Sequence, residues 1–265
     1  MTPDVEVLCR DYLPWMLEPI LHRNGVAQTV LVQASNSLEE TLWLLELADE
    51  NSFIAGVVGW IDLQNEETAR QLDALTTRSK LKGIRHLVES EAADNWLTQA
   101  SVVRGLCELG KRGLTYDLLV HPRHLKYAMQ VVAQCPDTQF VIDHIAKPPI
   151  KSGGIGAWAR ELKPLAAFPN VSCKLSGLVT EANWSNWRIE DFKPCVETAL
   201  EYFGPERMIF GSDWPVCFLA ATYEQVLDAV QRLLAHLNED ERRRIFSANA
   251  VEFFRLEGEI WSTAV

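Results

Sequence analysis

The residues best suited to chemistry stand where apolar runs end. In MIFGSDWPV, residues 208–216, the run Met208–Phe210 suits a strand buried on both faces. Gly211 then frees the backbone, and Trp214-Pro215 stops any further ladder, so Asp213 is delivered at a carboxyl end. Open and closed αβ folds place their chemistry at such ends, although Asp213 suits a turn or helix cap equally well. Other runs end comparably: Gln33 after TVLV, Trp60 and Asp62 after FIAGVVG, and Arg85-His86 after LKGI, with Glu89 and Glu91 beyond. His121, Asp143-His144, and Lys174 with Ser176 complete the set. Packing alone does not explain so many charged groups at the ends of apolar runs.

Each has a plainer reading. A histidine that closes a strand, as His144 does, is often merely hydrogen-bonded. Arg85 and His86 face opposite sides of a regular strand, so only one looks inward. His121 and His124 flank Pro122-Arg123, where capping is the simpler role. Lys174 fits pairing with a structural carboxylate, and Glu91 fits a solvated loop.

The elements that would position these groups repeat as βα units. Seven strand-like runs are expected, at 29–34, 53–62, 81–87, 114–121, 139–144, 171–177 and from 208. Amphipathic helices separate them. Capping boxes are expected at Ser37/Glu40, Thr222/Gln225 and Asn238/Glu241, stops at Gly25, Gly113 and Gly204, and a start at Pro122. The alternation predicts an α/β fold of the TIM-type (β/α)8 barrel class, one domain over residues 1–265. Its first strand is missing or degenerate: residues 4–8, DVEVL, alternate only weakly, and a helical or disordered start fits better.

Composition narrows the function. A net charge of −11 and scattered Lys and Arg argue against a nucleic-acid surface. No apolar run suits a bilayer, and no secretory leader is recognised. The six cysteines are dispersed without a CxxC pair, which fits reduced thiols in the cytoplasm. Neither HxH nor HExxH occurs, and no glycine-rich nucleotide loop is present. Asp213 as general base, with His or Arg groups polarising a carbonyl, points to a hydrolase of small molecules. Trp214, Glu91, Lys174 and Gln33 are the candidate substrate-binding residues.

Four segments then carry a resemblance: GIRH at 83–86, DHIAKPP at 143–149, CKLSGL at 173–178 and FGSDWPV at 210–216. Together with VLVQAS and AGVVGWIDL, they resemble the amidohydrolase-2 family, and within it sugar-lactone hydrolases of the L-fuconolactonase and L-rhamnonolactonase type. The resemblance runs in order from about Tyr12 to Leu256. It implies a barrel that opens lactone rings by hydrolysis, with Asp213 as general base or metal-binding carboxylate. It also implies His144 on a metal or the carbonyl, Arg85 and His86 at the substrate pocket, and Glu91 nearby. The family's first strand bears His-x-His, and nothing here matches it. The chain thus lacks that strand, is a diverged copy, or comes from a reading frame opened too late. Two expected ligands go with it, which leaves His144 and Asp213 as candidate ligands of one zinc-like divalent metal. A catalytically impaired barrel that binds a ligand or partner is the alternative. A homo-oligomer is left open.

Overall fold

The computed structural model describes residues 3–257. Seven parallel strands form one sheet in chain order, β1 (Thr29–Val32), β2 (Ile54–Gly59), β3 (Leu81–His86), β4 (Thr115–Leu118), β5 (Gln139–Ile142), β6 (Val171–Leu175) and β7 (Met208–Phe210). All seven expected runs form strands. Most stop short of the expected carboxyl ends, because there the chain bends into the loops that carry the polar residues.

Helices α1 (Pro14–Arg23) and α2 (Leu38–Glu50) flank β1, and α3 (Thr68–Leu75) follows β2. Next come α4 (Ala100–Lys111), α5 (Leu125–Gln134), α6 (Ile155–Ala166), α7 (Ile189–Phe203) and α8 (Tyr223–Leu233). The chain then runs through α9 (Glu239–Arg243), a π-helical turn at Arg244–Ala248, and α10 (Asn249–Phe254). The boxes at Thr222/Gln225 and Asn238/Glu241 are complete. At α2 the box is half made: Ser37 Oγ accepts from the Glu40 N–H, but Glu40's carboxylate instead binds the Ala34 and Ser35 amides. The weakly alternating start, Pro3–Leu8, is a 3-10 helix.

The sheet is curled, as in part of a barrel. Neighbouring strands lie about 4.8 Å apart, so a flat sheet would hold β2 and β7 more than 20 Å from each other. Yet Val58 of β2, Val141 of β5 and Ile209 of β7 share one buried cluster with Phe254 of α10. Polar contacts cross the interior likewise: Arg85 on β3 reaches Asp143 beyond β5 at 2.9 Å. Among the described residues β1 and β7 are the sheet's edges. The C-terminal helices brace β7, where buried Asn249 donates to the carbonyls of Pro205 and Met208, 2.7 Å each. No helix among the described residues is long and apolar enough to cross a membrane.

A second buried cluster packs the outer helices on the sheet, with Leu45, Leu72, Leu106, Val131, Leu162 and Val196 fully or almost fully covered. Burying each such side chain contributes roughly 1.5–3 kcal/mol. One close approach fixes a strand end beside the site. At Gly59 an added Cβ would lie 2.4 Å from Thr41 Cγ2, so the missing side chain lets α2 dock. Thr41 Oγ1 then accepts from the Trp60 N–H and donates to its carbonyl, completing hydrogen bonding where the ladder stops.

Candidate active site

Asp213 and His144 reach the same space from different strands. Asp213 follows β7 in the left-handed region at φ +58°, and its carbonyl accepts from the Cys217 N–H at 2.8 Å. His144 opens a stretch after β5 in which His144, Ile145, Ala146 and Lys147 all have positive φ, from 44° to 59°. For non-glycine residues this costs roughly 1–2 kcal/mol each, so surrounding contacts must over-determine it. They do: Ile145 and Ala146 are fully buried, and Trp158 Nε1 donates to the Ile145 carbonyl at 2.8 Å.

His144 Nδ1 lies 2.9 Å from Ser176 Oγ, which leaves Nε2 facing Asp213 Oδ1 at 3.7 Å. Both side chains are 13% exposed. Burial raises the Asp213 pKa, against the lowering pull of His144 and Arg85. Gly177 makes room for the imidazole: its φ is +64°, and an added Cβ would sit 2.7 Å from His144 Cβ and Cγ. Gly177→Ala is therefore expected to displace His144 and strain the turn. Turnover should fall by about tenfold or more, since small misplacements of reacting groups are costly. Kinetics together with a melting curve check this; wild-type rates would show that His144 needs no such fit.

Behind this pair lies a buried chain of alternating charge. Arg85 contacts Asp143, Asp143 Oδ1 lies 2.8 Å from Lys174 Nζ, and Lys174 also pairs closely with Asp117. The register explains it, because Arg85 of β3 stands opposite Asp117 of β4 and both face inward. Burial pushes Asp117 up to about 6, with Lys174 pulling against it. Burial works on Asp143 too, but Lys174, Arg85 and His144 outweigh it and hold that carboxyl below its ordinary range. Burial would lower Lys174, yet its two carboxylates outweigh that and raise it. Gln33 is fully buried and grips Arg85: its Nε2 donates to the Arg85 carbonyl at 3.1 Å, and its own carbonyl accepts from the guanidinium.

The expected split between neighbours on β3 is present. Arg85 faces inward, whereas His86 is held elsewhere by aromatic side chains. His86 stacks on Trp96 at 3.9 Å between centroids, accepts from Trp60 Nε1 at 2.9 Å, and meets Glu91 at 2.6 Å. Burial lowers its pKa, and Glu91 opposes that. Among the described residues no hydrogen bond joins His86 or Glu91 to the His144–Asp213 pair. Trp214 packs edge-on to Tyr12 at 5.4 Å, and its indole N–H is buried without a partner. Arg85 Nε is likewise an unpartnered buried donor. Such donors are what a ligand oxygen would satisfy.

Sequence reasoning missed Asp117 and Lys147, and noted Glu89 without assigning it a role. Lys147 pairs closely with Glu89, whose carboxylate also lies 3.6 Å from His121 Nε2. His124 Nδ1 accepts from the His121 N–H at 3.2 Å and so caps the turn at Pro122–His124, in line with its simpler reading. A groove of about 360 Å³ lined by Trp187, Arg188 and Asp228 shares no residue with this constellation.

For a divalent metal the donor set is short. The spacing of His144 Nε2 and Asp213 Oδ1 would suit two ligands of one ion, but catalytic zinc takes three or more protein ligands. Among the described residues no three His, Cys, Asp or Glu side chains gather to hold an ion. The side chains on hand do not fit the metal.

Comparison with known proteins bears on this constellation. A family model described as amidohydrolase matches residues 4–256. An L-fucono-1,5-lactonase of Burkholderia ambifaria is 38% identical over 96% of this chain and 88% of its own length. An L-rhamnono-gamma-lactonase of Scheffersomyces stipitis is 25% identical over 69% of this chain and 63% of its own. Among solved structures, an amidohydrolase of Burkholderia multivorans with bound zinc superposes with a TM-score of 0.93 at 37% identity, covering 97% of this chain and 93% of the other.

Proposed function

The chain belongs to the amidohydrolase family, and we propose that it is an enzyme that opens a small sugar-acid lactone by hydrolysis. The lactonase relatives support the reaction class, and their names supply the candidate substrate. Within the family we read the seven strands as the second to eighth of a (β/α)8 barrel, with no first-strand counterpart among the described residues.

The mechanism rests on one observation: a buried carboxylate, raised in pKa, faces an imidazole whose other nitrogen is already engaged. A 3.7 Å gap is too long for a strong hydrogen bond between the two, so each is available to a reactant. Asp213 takes a proton from water as the water oxygen bonds to the ring carbonyl carbon. His144 Nε2 and the unpartnered Nε–H of Arg85 steady the developing oxyanion. The bond from carbonyl carbon to ring oxygen then breaks, and Asp213 returns its proton to that oxygen. Acid and alcohol are released. Trp214, next in the chain to Asp213, keeps a buried indole N–H without a partner, a further donor that a ring oxygen would satisfy. No step is assigned to a metal, because the donor set does not fit one.

The test is a panel of aldonolactones, assayed before and after dialysis against a chelator. Turnover that survives chelation is the expected result. Ligand binding without turnover would instead favour a barrel that has lost catalysis. A rate lost on chelation and restored by zinc would demand a ligand outside the described residues.

A further inference from the structure

Resting on the lactonase reading, we propose that Lys147, held by Glu89, selects a neutral polyhydroxylated lactone over a plain or an anionic one. The left-handed turn puts Lys147 there. A 3-10-type turn carries three residues per turn, so residues i and i+3 project from one side. His144 and Lys147 stand in that relation on consecutive positive-φ residues, and the Lys147 N–H donates to the His144 carbonyl at 2.8 Å. The turn that aims His144 at Asp213 therefore presents Lys147 to the same mouth. Its ammonium is near enough for its charge to act on Asp213, Glu181 and His121, and its side chain remains 18% exposed.

The charge tally decides what such a group binds. Arg85 is matched by Asp143, Lys174 by Asp117 and Asp143, and Lys147 by Glu89, with Glu181 close by. No cation in this constellation is left over for a substrate carboxylate. Lys147, Glu89 and His121 instead alternate donors and acceptors along one half-buried lip. Hydroxyl groups both donate and accept, so a neutral polyol edge matches that lip. A lactone without hydroxyls would cover this half-buried lip and displace its water without returning a hydrogen bond, a cost the hydroxylated ring does not carry.

The test uses Lys147→Met and Glu89→Gln in the full chain. Each is assayed on an aldono-1,5-lactone, on the same ring without hydroxyls, and on a lactone bearing a carboxylate. Losing one charge-assisted contact should lower kcat/KM for the hydroxylated lactone about 10–100-fold more than for the unsubstituted ring, both read on the pH plateau where Asp213 is ionised. Glu89→Gln, which uncovers the ammonium, should improve the carboxylated lactone relative to wild type. Equal losses on both uncharged rings would make Lys147 part of the general chemistry and overturn the proposal, as would no loss on either. Melting curves separate these results from misfolding, and the milder Glu89→Gln variant carries the test should Lys147→Met fail to fold. Wild-type protein inactive on all three lactones would overturn the lactonase reading, and this selectivity with it.

Discussion

Asp213→Asn is expected to lower kcat by about 10²–10⁴-fold, the loss that follows removal of a general base. The substitution is nearly isosteric, and asparagine tolerates left-handed backbone at least as well as aspartate, so φ +58° survives it. A fold defect would therefore not explain the loss. The wild-type pH profile gives an independent reading of the same group. Burial raises the Asp213 pKa, so its basic form is reached only above the ordinary aspartate range of about 3.9. The acid limb of kcat/KM should accordingly lie above that value and vanish from any residual activity of the variant. Rates within threefold of wild type, with the limb intact, would remove Asp213 from the mechanism.

How much of this site was legible beforehand differs residue by residue, for physical reasons. Asp213 and His144 were visible because each ends an apolar run, and strand ends are where a barrel turns toward solvent. The split between Arg85 and His86 was visible because alternation on a strand is strict. Asp117 was not. It lies inside LTYDLLV, where one charge among apolar residues reads as an anomaly until Lys174 is found across the curled sheet. Lys147 was missed for a different reason. Nothing in HIAK favours left-handed backbone, since no glycine or asparagine is present; tertiary contacts, including Trp158 on the Ile145 carbonyl, impose it. The aromatic clamp on His86 comes from Trp60, which stood out at a strand end but without a role, and from Trp96, which no pattern singles out.

Lys174→Met is expected to cost the largest share of stability. The side chain keeps its length and can still pack over Phe254, whose ring centroid lies 5.7 Å from Nζ. What it removes is the cation between two fully buried carboxylates. Breaking a buried pair from one side costs about 3–5 kcal/mol, because the remaining charge is stranded without solvent. Asp143 keeps Arg85, so the stranded group is Asp117. With Lys174 present its pKa already stands at about 6, and without that pull it must rise further. A carboxyl raised in the folded state favours folding below its unfolded pKa, and this contribution is lost as pH rises through the folded value. The penalty should thus be fullest at pH 8, where folding forces Asp117 either to stay charged in the interior or to take up a proton. It should shrink toward pH 5, where the proton is cheaply supplied. Denaturant titrations of wild type and variant at both pH values measure this directly. Adding Asp117→Asn to the variant should recover part of the loss at pH 8 and little at pH 5. A single variant as stable as wild type at pH 8 would mean that the alternating chain contributes nothing net to the fold.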